Sequence, residues 1–256
     1  DLPRAFDGFR IVQLSDLHAG SLESVSAVAR GLARAQSLNP DLLVFTGDLV
    51  NQLASEFDPF LEDFKRLHAP YGKFAIRGNH DFGDYGPWPS SAEREHHNQS
   101  LVNKLEQAGF HVLRNERVEL NRQGECIHLL GVDNWSYKAF KRYGDIRPAL
   151  EGLTPEDFNI LLTHDPGHWD GEARFVHQRP RLTLSGHTHG FQMGVETPQF
   201  RVSPAQLIFP QWAGLYWTND QALYVNRGYG YNRYPGRMGI PPEITLIILK
   251  RGKRQV

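Results

Sequence analysis

The chain is poor in cysteine and in net charge. Its 256 residues include one cysteine, Cys126, which excludes an internal disulfide and any metal site built from several thiolates. The formal net charge is −1, so no overall positive field draws nucleic acid or an anionic membrane to the protein. Any affinity for phosphate must therefore arise from a local group of residues.

The sequence also lacks an apolar run of transmembrane length and a secretory signal. It begins at Asp1 rather than at methionine, which is compatible with a domain excised from a longer chain with an N-terminal membrane anchor. The content of 40% hydrophobic and 22% charged residues is typical of a globular protein with ample material for a core. We expect one domain over residues 1–256, soluble by itself.

Apolar runs that end in polar residues alternate with helix-like sequence in the first half of the chain. Strands are predicted at 9–18, 41–48 and 72–81, and helices at 22–38, 56–68 and about 92–108. The second half is richer in strands. Alternating strands and helices indicate parallel βαβ units, and the later strands indicate a second sheet. The sequence thus predicts an α/β fold of two sheets packed face to face, with helices outside.

Five predicted strands end in clusters of Asp, Asn and His beside a glycine, serine or threonine. The clusters are SDLH (15–18), TGDL (46–49), RGNHD (77–81), THDP (163–166) and GHTHG (186–190). Ligand sites gather at the carboxyl ends of strands in open α/β sheets. Because side chains two apart in an extended segment point the same way, Asp16 is predicted to converge with His18, and His187 with His189.

The candidate ligands in these clusters offer oxygen and nitrogen atoms alone. Carboxylates, an amide and imidazoles suit manganese, iron, zinc or cobalt better than metals that require thiolates or only oxygen. Seven candidates are too many for one tetrahedral ion but suit two ions that share a carboxylate. Two ions about 3.5–4 Å apart can hold a bridging hydroxide for in-line attack on phosphorus. Their charge outweighs that of Asp16, Asp48 and the hydroxide, which attracts a phosphate anion.

The order of the clusters resembles the calcineurin-like metallophosphoesterases, whose pattern is D-x-H, G-D, G-N-H-D/E, H and G-H-x-H. The similarity covers about residues 10 to 249. It implies a four-layer αββα sandwich of two mixed β-sheets flanked by helices, and a dinuclear metal-dependent phosphohydrolase in which manganese is the favoured metal. The ligands implied by motif position are Asp16, His18 and His189 for one ion, Asn79, His164 and His187 for the other, and Asp48 between them.

The resemblance also implies a catalytic role for His80, together with Asn79. His80 would face the substrate, stabilise the phosphoryl oxygens and protonate the leaving group. Asp81 beside it would either orient His80 or cap the turn. Many relatives carry G-D-x-x-D, in which the second aspartate partners the catalytic histidine, whereas Asn51 stands at that place here. Asparagine favours an imidazolium less than a carboxylate does, which suits a phosphodiester or pyrophosphate with a good leaving group.

Further strings, among them SGHTHGFQ and LYVNRGYG, are similar to bacterial membrane-anchored metallophosphoesterases. In that subgroup the catalytic domain often follows transmembrane helices or an export signal, so the resemblance implies a membrane-associated full-length protein. Its members are described as phosphodiesterases, and some cleave the pyrophosphate of a UDP-diacylglucosamine lipid precursor. The implied substrate is a small phosphoester or pyrophosphate, such as a nucleotide or a UDP-linked lipid.

Substrate selection is expected in the loops around the site. The segment 209–237 combines aromatic residues with Arg227, Arg233 and Arg237, and arginine forks could hold a second phosphate. His168 follows a ligand strand and is a further candidate for substrate contact. The alternative is that the aromatic residues pack the edge of the sandwich and the arginines lie in solvent.

Two other functions compete with a phosphodiesterase or pyrophosphatase. One is a phosphomonoesterase, and the other is a non-catalytic metal-binding scaffold, as some members of this fold are. Because every ligand position and His80 are filled, the sequence favours the enzyme. The near-neutral charge argues against long nucleic acids as substrates.

Overall fold

The computed structural model of the chain describes residues 1–136, 140–197 and 200–252. The strands in these ranges are β1 (Arg10–Leu14), β2 (Leu42–Thr46), β3 (Lys73–Ile76), β4 (Phe110–Val112), β5 (Glu116–Arg122), β6 (Glu125–Gly131), β7 (Asn159–Leu162), β8 (Leu182–Ser185), β9 (Val195–Glu196), β10 (Arg201–Val202), β11 (Gly214–Thr218), β12 (Gln221–Val225) and β13 (Thr245–Ile248). The α-helices are α1 (Val25–Ser37), α2 (Leu61–Lys65), α3 (Ser91–Gln107) and α4 (Arg147–Leu150). Among the described helices, none has the length and apolar character needed to cross a membrane.

The strands form two large mixed sheets. The first has the order β13-β1-β2-β3-β4, in which β1 to β4 are parallel and β13 is an antiparallel edge. The second has the order β11-β12-β8-β7-β6-β5, with four parallel central strands and antiparallel edges at β11 and β5. A small separate sheet pairs β9 with β10. The predicted fold of two mixed sheets is confirmed.

Alternate residues of a strand belong to different hydrophobic cores, because successive side chains of a strand point to opposite faces of the sheet. The core between the sheets includes Ile11, Leu42, Val44, Ile160, Leu162 and Leu184. In β2 the intervening Leu43 and Phe45 face outward and belong to a core shared with Leu32 of α1 and Leu101 of α3. Leu161 faces outward from the second sheet into a cluster with Ala149 of α4. The layers are therefore helix, sheet, sheet and helix, as predicted.

Helix α1 begins and ends where its sequence signals lie. The Ser24 hydroxyl accepts a hydrogen bond from the N–H of Ala27 at 3.2 Å, which caps the first turn. The helix ends at Ser37, shortly before Asn39 and Pro40. Its length places the next strand, β2, parallel to β1.

The helix predicted over residues 56–68 is interrupted. Residues Ala54–Phe60 form a 3₁₀ helix, and only α2 that follows is α-helical. Pro59 accounts for the difference, since proline supplies no N–H and its ring clashes with the preceding turn of an α-helix. The segment still buries Phe57, Phe60 and Phe64 against the first sheet, so its apolar pattern is satisfied by a different backbone.

An ion pair joins the two sheets across the interior. Arg77 follows β3 in the first sheet, and Asp133 follows β6 in the second. Two hydrogen bonds of 3.0 and 2.7 Å link the guanidinium to the carboxylate, and both residues are buried. The guanidinium also lies 4.3 Å from the ring centre of Phe82. Because a buried charge is tolerated when it is paired, each partner depends on the other.

We expect the substitution Asp133→Ala to lower the free energy of unfolding by about 3–5 kcal/mol, because it leaves the Arg77 guanidinium buried without its carboxylate. Urea denaturation measures this loss. The double variant Arg77→Met with Asp133→Leu removes both charges and should recover most of it. A loss below about 1 kcal/mol in the single variant would show that the pair does not hold the sheets together.

Candidate active site

The five polar clusters meet at one edge of the sandwich. They follow β1, β2 and β3 in the first sheet and β7 and β8 in the second, all of them parallel strands of their sheets. The carboxyl ends of both sets of strands point to the same edge. The structure thereby brings together six of the seven predicted ligands and His80, over a sequence distance of more than 170 residues, and the seventh, Asn79, adjoins His80 in the chain.

The ligand loops are left-handed rather than extended. The φ angle is 52° at Asp16, 47° at His18, 57° at Asp48, 74° at His187 and 51° at His189. The expectation that these residues converge as alternate positions of extended segments was therefore wrong in its geometry, although the side chains do meet. Residues other than glycine avoid this region, so the loops must be held by other contacts. One such contact joins the N–H of His187 to the Asp16 carboxylate at 3.0 Å.

Two glycines permit the close approach of these loops. Gly47 has a φ of 95°, and a Cβ there would lie 2.7 Å from Nδ1 of His164. At Gly186 a Cβ would lie 2.1 Å from the Ser15 hydroxyl and 2.2 Å from the Asp16 carboxylate. Any larger side chain at either position would separate the ligand loops.

The side chains form groups that could each hold a metal ion. Asp16, His18 and His189 form one group, in which Nε2 of His189 lies 3.3 Å from the Asp16 carboxylate. Asp48, His164 and His187 form another, in which Nε2 of His164 lies 3.1 Å from the Asp48 carboxylate. The same Asp48 oxygen is 3.5 Å from Nε2 of His18. Asp48 therefore stands between the two groups.

A third group overlaps the first two. It consists of His18, Asp48 and His80. His80 thus lies close enough to be considered a ligand, although the motif places it outside the ligand set. His80 and His187 are also the two histidines of the site that are only half-buried.

Several buried polar atoms of the site make no hydrogen bond. Among the described residues, Nε2 of His18, His164 and His189 and Oδ1 of Asn79 are buried and accept or donate no hydrogen bond. Their opposite atoms are engaged. Nδ1 of His164 lies 2.7 Å from the carbonyl oxygen of Thr46, and Nδ2 of Asn79 donates to the Tyr85 hydroxyl at 2.9 Å. This arrangement fits a divalent cation, because metal-binding imidazoles use one nitrogen for the metal and the other for an orienting partner.

The pKa shifts of the site follow its burial and its carboxylates. Burial lowers the pKa of His18 to about 3, so its imidazole is in the neutral form that binds metals. Burial acts in the same direction on His164, but the Asp48 and Asp16 carboxylates outweigh it and raise the pKa of His164 to about 10. Burial by itself would raise the pKa of Asp48, yet His164 and His80 hold this pKa well below its usual range. The buried carboxylates are therefore stable in their charged form only beside a positive charge, which a proton on a histidine or a metal ion can supply.

Asp81 holds the loop that carries Asp48. Its carboxylate accepts hydrogen bonds from the N–H groups of Gly78 and Asp48, both at 2.8 Å, and of Leu49 and Val50, at 2.9 and 3.3 Å. Burial, followed by the nearby Asp48 charge, raises the pKa of Asp81 to about 7. Of the two roles considered for Asp81, the structure shows the backbone cap. The sequence alone did not reveal that the cap extends to the G-D loop.

His80 is oriented by the backbone of Asn51. Nδ1 of His80 lies 2.8 Å from the Asn51 carbonyl oxygen, while the Asn51 side chain lies 3.0 Å from Nδ1 of His18 and donates to the Ser21 hydroxyl at 2.8 Å. The Asn51 side chain therefore partners a predicted ligand rather than the predicted catalytic histidine. Nε2 of His80 faces the open side and lies 3.2 Å from Nδ2 of Asn232.

A cavity of about 290 Å³ opens beside His80. It is lined by Ser21, Asn51, Gln52, His80, Tyr85, Asn232 and Arg233. Arg233 is thus the one predicted substrate contact that reaches this cavity. Asn232 and Tyr85 were missed, since nothing in the local pattern of their segments signals contact with residues 79 and 80.

The other two predicted substrate contacts are engaged elsewhere. Arg227 donates to Glu243 at 2.6 Å and also pairs with Glu196. His168 is fully buried, lies 2.9 Å from the Thr163 hydroxyl and stacks on Trp135 at a ring distance of 4.7 Å. In this structure neither side chain lines the cavity beside His80.

The two-sheet sandwich with groups of candidate metal ligands at its strand ends fits the class of the metallophosphoesterases. Residues 9–191 match the family described as calcineurin-like phosphoesterase. The chain belongs to this family of metal-dependent phosphoric ester hydrolases.

Curated relatives include bacterial and animal proteins. The chain is 32% identical to the uncharacterized metallophosphoesterase YkuE of Bacillus subtilis (strain 168), over 97% of this chain and 82% of that protein. It is 29% identical to the UDP-2,3-diacylglucosamine pyrophosphatase LpxG of Chlamydia trachomatis serovar D, over 96% of this chain and 86% of that protein. It is 33% identical to a transmembrane protein with metallophosphoesterase domain of Danio rerio, over 98% of this chain but only 55% of that protein. The chain thus spans about half the length of this animal relative.

Solved structures share the fold at low identity. The Haemophilus influenzae NAD nucleotidase (NadN) has a TM-score of 0.53 and 19% identity, over 87% of this chain and 45% of that chain. A dimetal phosphatase from Danio rerio has a TM-score of 0.51 and 11% identity, over 87% of this chain and 88% of that chain. At these identities the likeness is one of fold.

We expect Asp81→Asn to weaken Mn²⁺ binding by roughly 10- to 100-fold, because an amide can accept only part of the four backbone hydrogen bonds that hold the Asp48 loop. Isothermal titration of the metal-free protein measures this change. Asp84→Asn is the matched control, since Asp84 bonds to Tyr143 and Arg94 and holds no ligand loop. Equal affinities in wild type and Asp81→Asn would refute the role given to Asp81.

Proposed function

We propose that the protein is a dinuclear metal-dependent phosphohydrolase that cleaves phosphodiester or pyrophosphate bonds. The observation that carries the proposal is the set of buried, unpartnered donor atoms around Asp48, beside the half-buried His80. Two divalent ions at such a site polarise a phosphoryl group and provide a nucleophile at neutral pH. Asp16, His18 and His189 would hold one ion, Asn79, His164 and His187 the other, and Asp48 would contact both. The mixed nitrogen and oxygen donors favour manganese, with iron, zinc or cobalt as alternatives.

His80 and Asn79 are the proposed catalytic side chains. The Asn51 carbonyl oxygen accepts a hydrogen bond from Nδ1–H of His80, which leaves Nε2 directed to the open cavity. In its protonated form, Nε2 can donate to a phosphoryl oxygen or to the leaving oxygen. The hydrogen bond from Nδ2 to Tyr85 leaves the Asn79 amide oxygen buried and without a hydrogen bond, so it is available to a metal ion.

The surface next to the site supports a lipid-linked substrate. Between His189 and Ala213 the sequence has only two charged residues, Glu196 and Arg201. Leu207 and Ile208 in this segment are 84% and 65% exposed. Such a surface is suited to acyl chains.

An aromatic residue connects this apolar surface to the site. The ring of Phe209 lies edge-on to that of His187 at 5.5 Å. The relative LpxG is a UDP-2,3-diacylglucosamine pyrophosphatase, and its substrate is a lipid-linked pyrophosphate. We propose a UDP-linked lipid or a related nucleotide as the substrate, and membrane association for a full-length protein such as the relatives named as transmembrane.

Turnover of bis-p-nitrophenyl phosphate by the manganese-loaded protein tests the enzymatic proposal. We expect the wild type to hold two ions per chain and to release p-nitrophenol. Asp48→Asn should lose both metal and turnover, because Asp48 serves both ligand groups. His80→Ala should lower kcat by about 100-fold or more while metal content stays at two.

His111→Ala is the control, since His111 is an exposed histidine on β4. Metal binding without any turnover in wild type would favour the scaffold alternative. Loss of an ion in His80→Ala would show that His80 is a ligand.

The double variant Leu207→Ser with Ile208→Ser tests the lipid proposal. It should raise KM for UDP-2,3-diacylglucosamine by roughly tenfold, since two exposed apolar contacts for the acyl chains are lost. Turnover of the water-soluble bis-p-nitrophenyl phosphate should stay at the wild-type rate. Ile248→Ser, at a 41% exposed isoleucine on β13, is the control for loss of surface hydrophobicity. An unchanged KM for the lipid would contradict the proposed use of this surface.

A further inference from the structure

The segment 209–237 contains three arginines, and they differ in what they contact. Arg227 is neutralised by Glu243 and Glu196. Arg237 is half-buried and donates to the carbonyl oxygens of Arg227 and Gly228 at 2.8 and 2.9 Å. Arg233 is exposed, and its side chain has no hydrogen bond or ion pair to any residue in the described ranges. Of these three arginines, Arg233 is therefore the one whose charge is available to a ligand.

The loop that carries Arg233 is fixed to the last ligand motif by Gln192. Oε1 of Gln192 accepts the N–H of Asn232 at 2.6 Å, and Nε2 donates to the carbonyl oxygens of Tyr234 and Gly236 at 3.0 and 2.9 Å. The side chain is buried, and it lies three residues after the predicted ligand His189. Its amide thus holds the loop over residues 232–236 at a set position relative to the metal-binding groups.

The loop places two donors beside His80. Nδ2 of Asn232 lies 3.2 Å from Nε2 of His80, and Arg233 lines the same cavity of about 290 Å³. Arg233 has a φ of 63°, in the left-handed region that a long side chain normally avoids. The Gln192 side chain bonds to the backbone of the two adjacent residues, Asn232 and Tyr234, and so holds Arg233 in this conformation.

We propose that Asn232 and Arg233, positioned by Gln192, form a subsite for a second anionic group of the substrate, on the leaving-group side of His80. The inference rests on the proposed phosphohydrolase function and selects pyrophosphate diesters as its substrate class. In a pyrophosphate the second phosphate is one bridging oxygen away from the phosphorus that is attacked. The cavity places a cation, Arg233, and an amide donor, Asn232, beside His80, which itself lies next to the ligands His18 and Asp48.

The reaction gives this subsite a catalytic effect. Hydrolysis adds the oxygen of water to the attacked phosphorus and breaks the bond from that phosphorus to the bridging oxygen. The electron pair of this bond leaves on the bridging oxygen with the second phosphate, and the protons of water are shared between the two phosphate monoesters and solvent. Because negative charge grows on the leaving phosphate, Arg233 stabilises the transition state more than the ground state. A simple diester with an aromatic leaving group gains nothing comparable.

The test compares UDP-glucose, a pyrophosphate diester, with bis-p-nitrophenyl phosphate on the full chain loaded with manganese. We expect Arg233→Ala to lower kcat/KM for UDP-glucose by roughly 10- to 100-fold. The loss of kcat/KM for bis-p-nitrophenyl phosphate should be smaller by at least about tenfold. Arg233→Lys should recover part of the loss because it restores the charge without the fork. Arg179→Ala, near the opposite end of β8, is the control for loss of one positive charge.

Gln192→Ala should show the same selective loss for UDP-glucose with two manganese ions retained. Gln192→Glu keeps the acceptor for Asn232 and should retain more UDP-glucose activity than Gln192→Ala.

Equal losses on both substrates in Arg233→Ala, or no loss on either, would overturn the subsite. Wild-type cleavage of bis-p-nitrophenyl phosphate without cleavage of UDP-glucose would overturn it while leaving the phosphohydrolase proposal intact. Failure of the wild type on both substrates would instead refute the phosphohydrolase proposal.

Discussion

Four main-chain N–H groups converge on the buried Asp81 carboxylate, and the geometry of the site depends on them. They fix the G-D loop after β2 to the G-N-H-D loop after β3, which sets where Asp48 stands. Asp48 in turn lies within 3.5 Å of one histidine in each metal-binding group, His18 and His164. The hydrogen bonds to this carboxylate keep the ligand loop in its left-handed conformation.

Motif order in the sequence was sufficient to predict that these side chains meet, because the folding rules for parallel strands are general. Each cluster follows an apolar run, and the carboxyl ends of parallel strands share one edge of a sheet. Asp16, His18 and Asp48 could therefore be placed together before any contact was known. The sequence could not reveal the conformation of the loops, since left-handed angles at Asp16 and His187 are imposed by contacts 171 residues apart.

The remaining differences from the sequence prediction concern side chains for which more than one partner is within reach. Asn51 stands where many relatives have an aspartate, and it contacts His80 through its carbonyl oxygen rather than its amide. Arg227 and Arg233 lie in one aromatic-rich segment with similar flanks, yet the structure engages the first with two glutamates and leaves the second exposed. Such choices depend on residues distant in sequence, so no local pattern distinguishes them.

A pair of divalent ions around Asp48 explains three features of the site. These are the left-handed ligand loops, the imidazole nitrogens that make no hydrogen bond, and the carboxylates that are stabilised by nearby positive charge. Anomalous X-ray scattering from crystals of the manganese-loaded protein tests this directly. The account predicts two manganese peaks about 3.5–4 Å apart. One peak should contact Asp16, His18 and His189, the other should contact Asn79, His164 and His187, and Asp48 should lie between them. A single peak, or a peak coordinated by His80 in place of Asn79, would contradict it.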